Sequence, residues 1–444
     1  MPALNDPIAA VATPPGRGAV AILRISGSNL TQITNKLIGD IPTPRLATFR
    51  KIIGTQKEII DDAIVIYFEG PRSFTGEDVL EIQTHGGTVV IREALRAAIA
   101  AGARQADAGE FSERAFLNGK MDLIQAEAIA DLIESSTTHA ARLAHNSLSG
   151  EFSRKVNEIT EKLKSIHVQI EALIDFPEDE LPAHTLQALT NRTKEIDEAL
   201  TKLIVESERG AKIKAGLNIA IVGRPNVGKS TLLNVLAGDE RAIVTDEPGT
   251  TRDVVTIDTE IGGLLVRFHD TAGLRDAENM IEKEGVRRAK QLIEQSDAIF
   301  HVVTTDADEL NEFVGNLTIP VFKIRNKIDL DQLAVDLQEN RNGARIQISA
   351  KHVQGIDLLH RALLNCFDIA GDANDTFLAR ERHLEGLNTA KNALDYDHIA
   401  LYRNSPELAA EQLRQAVRAL GSLTGAYSNE ELLGDIFSTF CIGK

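Results

Sequence analysis

The run Ile219-Ala-Ile-Val-Gly-Arg-Pro-Asn-Val-Gly-Lys-Ser-Thr231 constrains this chain more than any other stretch. Its apolar start predicts a buried strand, and Thr231-Leu-Leu-Asn-Val-Leu-Ala237 predicts a helix directly after it. Between them, Gly223 to Ser230 fit G-x-x-x-x-G-K-[ST] in the strand–loop–helix setting that motif needs. Gly223 and Gly228 let backbone N–H groups converge on phosphate oxygens at a helix N-terminus, where the dipole favours negative charge. Lys229 reaches for the β- and γ-phosphates, and Ser230 offers its hydroxyl to Mg²⁺. Asn226, Val227, Gly228, Lys229, Ser230 and Thr231 are the expected phosphate contacts.

The base is chosen elsewhere. Asn326-Lys327-Ile328-Asp329 follows a predicted strand, and its Asp329 carboxylate accepts from both N1–H and the exocyclic amine of guanine. Adenine has no such donor pair. Ser349-Ala350-Lys351 follows the next strand and closes over the base. Asp270-Thr271-Ala272-Gly273 also ends a strand, so Asp270 suits the Mg²⁺ shell and the Gly273 N–H the γ-phosphate. In Thr245-Asp246-Glu247-Pro248-Gly249-Thr250-Thr251, the paired threonines are positioned to sense γ-phosphate and Mg²⁺ as a switch. In this order the motifs predict a GTPase domain. A water-orienting glutamine is common after the glycine of the third motif, yet this chain has Leu274. Glu282, Arg252 and Arg275 are the candidates to replace it, and Asn226 could add an oxygen ligand for a monovalent cation.

A length of 444 residues predicts two or three domains. A net charge of −17 argues against an unaided grip on nucleic acid, which needs clustered Lys and Arg. Two cysteines, Cys366 and Cys441, make no disulfide framework. With no apolar run of about 18 residues and no leader pattern at Met1, a cytoplasmic location and no membrane contact are expected.

Residues 1–119 read as mixed α/β, with strands at Ala19–Ile25, Ala63–Phe68 and Val79–Thr84 and a helix to Ala101. Arg24 and Glu81 are charges inside those strands. From Met121 the period is helical: Phe152, Val156, Ile159, Leu163, Ile166, Ile170 and Leu173 form a bundle seam. Leu189, Thr193, Ile196, Leu200 and Leu203 repeat it, so an antiparallel partner helix is expected. Strand and helix signals alternate through residues 213–370, which predicts a mostly parallel sheet. Helical patterns resume over 371–444, too short a run for its own core. The expectation is a discontinuous helical domain, 120–212 and 371–444, with the nucleotide domain inserted. Ile436, Phe437 and Phe440 form a stripe that should dock the tail and fix Cys441 and Lys444. Cys366, on a core stripe, reads as structural.

Taken together, these residues resemble the MnmE (TrmE) family of tRNA-modification GTPases over essentially the whole chain. The segments that carry the resemblance are Ala12-Thr-Pro-Pro-Gly-Arg-Gly18, Phe74-Thr-Gly-Glu-Asp78, Gly109 to Lys120, the nucleotide motifs with Gly249-Thr-Thr-Arg-Asp253, and Cys441-Ile-Gly-Lys444. The nucleotide motifs are shared by many GTPases, and the first and last segments are specific. The resemblance implies an N-terminal folate-binding, dimer-forming domain, with Arg24, Glu81, Lys120 and Lys444 at folate-contacting positions. It implies a Ras-like G domain with Asn226, Thr245, Glu247 and Thr250 around K⁺, Ser230 and Thr251 on Mg²⁺, and Glu282 as catalytic glutamate. Cys441 matches an essential cysteine. The implied partner is MnmG, a FAD-containing flavoprotein that would carry most of the tRNA contact in a heterotetramer. The implied one-carbon donor is 5,10-methylenetetrahydrofolate, with a 5-formyl analogue as a substitute ligand. The alternative is a regulatory GTPase of ribosome-assembly type, without covalent chemistry. The acidic helical region, lacking a basic RNA-binding module, disfavours it.

Overall fold

A computed structural model describes residues 6–175, 183–238, 255–270, 292–305, 319–340, 342–369, 377–395, 398–427 and 430–443. The chain forms two compact units, one of Met1–Ala130, Leu148–Ile196 and Thr389–Lys444, the other of Asp131–Ser147 and Asp197–Asn388.

The first unit begins with β1 (Ile8–Val11), β2 (Val20–Gly27), α1 (Thr31–Ile38), β3 (Thr48–Ile53), β4 (Ile59–Phe68), β5 (Asp78–His85), α2 (Thr88–Ala101), β6 (Arg104–Gln105) and α3 (Glu110–Leu117). The strands make one sheet in the order β3-β4-β5-β2-β1-β6. Side chains alternate across a sheet, so neighbours in sequence serve opposite faces. Leu23, Ile25, Leu80 and Ile82 pack with Ile33 and Leu37 of α1 and the alanine row Ala94, Ala97, Ala98 and Ala101 of α2. Arg24 and Glu81 therefore point to the other face, where Ile8, Ala10, Ala106, Phe74 and Phe111 make a smaller cluster.

Helices α4 (Leu123–Glu134), α5 (Thr138–Leu148), α6 (Glu151–Asp175) and α7 (Ala183–Ala215) follow. The seam is present on α6, with Phe152, Val156, Ile159, Leu163, Ile166 and Ile170 buried and Leu173 half-buried.

In the second unit come β7 (Leu217–Val222), α8 (Lys229–Ala237), β8 (Val255–Ile261), β9 (Leu264–Asp270), β10 (Ala298–Val303), β11 (Val321–Arg325), α9 (Ile328–Asp331), β12 (Asp336–Asn340), β13 (Gly343–Gln347) and α10 (Ile356–Cys366). The sheet order is β12-β13-β11-β10-β7-β9-β8. The five inner strands are parallel and the two edges antiparallel. Phe300 on β10 meets Phe322 on the neighbouring β11 edge to face and Phe268 on β9 at a tilt across β7, each pair with ring centroids 5.4 Å apart. Burial pushes the Cys366 thiol up, as an inert structural cysteine requires.

The chain closes with α11 (Glu381–Asn392), α12 (His398–Asn404), α13 (Pro406–Thr424) and α14 (Glu430–Ser438). The helix lying along the α6 seam is α13, which buries Ala409, Leu413, Ala416, Val417 and Leu420. The expected neighbour, α7, meets α6 through Arg192, which donates to Ser165 Oγ and to Gln169 Oε1 at 3.3 Å. Thr193 of α7 instead bonds the Tyr402 hydroxyl of α12 at 2.7 Å. A heptad seam states that a helix is covered; it does not state which helix covers it.

Candidate functional site

Central strand β7 delivers the phosphate loop, and close packing dictates its glycines. Gly223 has φ +155°, and a Cβ there would lie 2.3 Å from the Val302 carbonyl oxygen on β10. Gly228, at the N-terminus of α8 with φ +95°, would place a Cβ 2.4 Å from Asn326 Nδ2. The Lys229 side chain is buried, and its Nζ donates to the Gly223 and Arg224 carbonyls at 2.9 Å each. Ser230 and Thr231 stand exposed in the first turn of α8, and Asn226 is exposed at φ +64°.

One side chain ties this loop to the base-recognition loops. Asn326 Nδ2 donates to the Val227 carbonyl at 3.0 Å, while its Oδ1 accepts from the N–H groups of Lys327 at 2.8 Å and Ala350 at 3.0 Å. Lys327 Nζ adds a bond to the Asn226 carbonyl at 2.6 Å. Ser349 Oγ donates to Asp329 Oδ1 at 2.6 Å. That bond, helped by the nearby charges of His352 and Lys351, holds the Asp329 carboxyl below its ordinary value. Asp270 ends β9, opposite Ile221 of β7. The result is a cradle too tight for a Cβ, a helix N-terminus, a buried ammonium and an ionised acceptor, which fits a guanine nucleotide.

Of the sequence-derived positions, Thr245, Asp246, Glu247, Pro248, Gly249, Thr250, Thr251, Thr271, Ala272, Gly273, Glu282 and Lys444 lie outside the described residues, as do Arg252, Leu274 and Arg275.

The first unit holds a second cluster. Arg24 and Glu81 sit directly opposite in the β2–β5 register, with Arg24 Nη2 2.9 Å and Nε 3.0 Å from Glu81 Oε1. The Arg24 guanidinium lies 5.6 Å from the Phe74 ring and 5.9 Å from the Phe111 ring. Its Nη1 donates to the Gly443 carbonyl at 3.4 Å, so the tail belongs to this site. Ile442 bridges antiparallel to Ala108. Gly443, at φ +97°, comes so near β1 that a Cβ would meet the Val11 carbonyl oxygen at 2.5 Å. Behind the tail, Phe437 and Phe440 pack with Leu123 and Ala126. Cys441 is exposed beside this docked segment, and Lys120 Nζ donates to the Pro71 carbonyl at 2.9 Å.

A buried ionic chain supports the cluster. Arg114 on α3 bonds Glu77 Oε2 and Glu110 Oε1 at 3.0 Å each and donates to the Asp6 carbonyl at 2.8 Å. Glu77 also accepts from the Ser26 hydroxyl at 2.8 Å. Burial alone would raise Glu110, but Arg104, the Asp107 N–H and Arg114 outweigh it and hold the carboxyl below its usual range. Sequence reasoning missed Phe74, Phe111, Glu77 and Arg114 as working parts. Phe111 and Arg114 are three apart on one helix, but that spacing does not separate a buried arginine from a solvated one.

Residues 7–120 match the family described as GTP-binding protein TrmE N-terminus, and residues 123–441 match the MnmE helical domain. The chain is 44% identical over 443 residues to the tRNA modification GTPase MnmE of Methylococcus capsulatus, covering 99% of each. It is 46% identical over 455 residues to that of Pseudomonas paraeruginosa, covering 100% of each. A crystal structure of Aquifex aeolicus Era bound to GDP.AlF4⁻ is 25% identical over 40% of this chain and 66% of that one. Its TM-score of 0.27 is too low to add to the assignment. With both family regions matched in order and full-length identity at this level, the chain belongs to the MnmE family of tRNA modification GTPases.

Proposed function

We propose that this GTPase is potassium-dependent and works as a homodimer with the FAD-containing protein MnmG. Together they would add an aminomethyl or carboxymethylaminomethyl group at C5 of the tRNA wobble uridine in the cytoplasm, with 5,10-methylenetetrahydrofolate as donor. The observation that supports this best is the docked tail: Ile442 bridges to Ala108 and the Gly443 carbonyl accepts from Arg24, so Cys441 stands at the edge of that cluster. Arg24 fixes the rotamer of Glu81, leaving a carboxylate to orient the amine and amide edge of a pterin, with Lys120 and Lys444 for the rest of the folate. A reduced folate, when bound, supplies the one-carbon unit. The fit rests on chemistry visible here, a partly buried carboxylate opposite a guanidinium flanked by two aromatic rings. Residues 1–119 would form the folate and dimer domain, 120–212 with 371–444 the helical domain, and 213–370 the inserted G domain.

In the G domain, Lys229 would exchange its carbonyl partners for the β- and γ-phosphates. Ser230 with Thr251 would hold Mg²⁺, and Asn226 with Thr245, Glu247 and Thr250 would hold K⁺. These cations neutralise charge developing on the phosphates. Glu282 would orient the attacking water in place of the glutamine that Leu274 replaces. GTP turnover should be about ten-fold or more faster in potassium than in sodium at equal ionic strength. Equal rates would remove potassium from the proposal.

Calorimetric titration with 5-formyltetrahydrofolate tests the N-terminal assignment. Binding is expected for the native chain, with a loss of about ten-fold or more for Glu81→Ala. An assembly-type regulatory GTPase has no reason to bind a folate, so absence of heat with the native chain would favour that alternative.

A further inference from the structure

The base-recognition loop carries a titratable group that the guanine contacts do not use. The turn Ala350–His352 follows β13 and brings His352 Nε2 to 3.8 Å from Asp329 Oδ2. The two carboxylate oxygens of Asp329 are not equivalent. Oδ1 already accepts from Ser349 Oγ at 2.6 Å, while Oδ2 faces the imidazole. A carboxylate has about four lone-pair sites, and a guanine base brings two N–H donors to it side by side. One of those donors must land on the oxygen that His352 faces.

We propose that His352 is a positioning residue for guanine recognition: uncharged, it leaves Asp329 Oδ2 open to the base; protonated, it draws on that oxygen and loosens the nucleotide. Histidine changes charge between about pH 5 and pH 8, so the effect falls within an accessible range. The surrounding charges leave Asp329 as the group that responds. Asp331, also on α9, is engaged by Arg325 Nη2 at 2.9 Å. Lys229 of α8 is turned toward the Gly223 and Arg224 carbonyls, and Lys327 toward that of Asn226. Lys351, on the same turn, is a further positive charge near Asp329. An imidazolium beside Oδ2 takes up acceptor strength that the base requires. Since His352 is 51% exposed, solvent screens the pair and the effect is moderate.

The test is the affinity of the full chain for ribose-labelled fluorescent GDP at about pH 8 and about pH 5.5, at constant ionic strength, for the native protein and His352→Gln. Protonation of the diphosphate itself acts equally on both proteins, so the ratio between them isolates the side chain. At the higher pH the two should agree within about two-fold; at the lower, the variant should bind about three-fold more tightly. Parallel pH profiles would overturn the proposal. So would weaker binding by the variant at both values, since His352 would then touch the nucleotide or shape the turn. Thermal melting of both proteins separates a folding defect from either outcome.

Discussion

Gly228→Ala should reduce affinity for GDP and GTP by about a hundred-fold or more while the chain stays folded. Two costs combine. A non-glycine residue held at φ +95° stores about 1–3 kcal/mol of backbone strain. The new methyl group would also lie 2.4 Å from Asn326 Nδ2, so Asn326 must move. That side chain holds Val227, Lys327 and Ala350 together, and its displacement disturbs the phosphate cradle and both base loops at once. Every hydrogen bond to an ionised phosphate that breaks as a result costs a further ~1.5–3 kcal/mol. Calorimetry with GDP measures the loss, and a melting curve checks that the sheet persists. Near-native affinity would mean that the loop tolerates a side chain and that Asn326 is not the tie described.

Arg114→Ala should destabilise the first unit by about 3–5 kcal/mol, because removing one member of a buried ionic cluster leaves the others uncompensated. Arg114 is 2% exposed, against 9% for Glu110 and 12% for Glu77. Glu110 keeps Arg104, so Glu77 bears most of the loss. An exposed control, Arg96→Ala on α2, removes a solvated pair with Glu93 and should cost under about 1 kcal/mol. Chemical unfolding of the three proteins gives the comparison, and equal midpoints would show that the cluster contributes nothing. The acid limb has a definite sign. Glu110 titrates below its ordinary value in the folded chain, so its contribution is fully present above the ordinary carboxylate range. It is lost as the pH falls through the depressed value, and Arg114→Ala should flatten that limb.

The nucleotide fold is legible in the sequence because its signals are local. Four apolar residues, fixed glycine spacing and a following helix sit within one short run, and close packing against Val302 and Asn326 accounts for the glycines. The Arg24–Glu81 pair is not legible in that way. Its members are 57 residues apart, and only the β2–β5 register brings them together. Their burial is equally hidden, since a charge in an alternating strand reads as solvent-facing until α3 and the tail are seen covering it. The helical seam falls between these cases. Periodicity locates Phe152 through Ile170 on a buried face, but the choice of α13 over α7 as cover depends on the geometry of chain return. The stripe Ile436, Phe437 and Phe440 predicts a docked tail, whereas the Ala108–Ile442 bridge that holds it is a backbone interaction that side-chain pattern cannot encode.

Arg24 and Gly443 are 419 residues apart, yet they share a hydrogen bond. During synthesis the β2 strand leaves the ribosome early, and its partner in that bond emerges only after the whole nucleotide-binding sheet has been made. A chain that ended between Gln347 and Gly443 would still carry Gly223 to Ser230 and every strand of the sheet around them. It cannot carry a finished Arg24 cluster. The Arg24 cluster is therefore completed only by a residue made after every strand of the nucleotide-binding sheet.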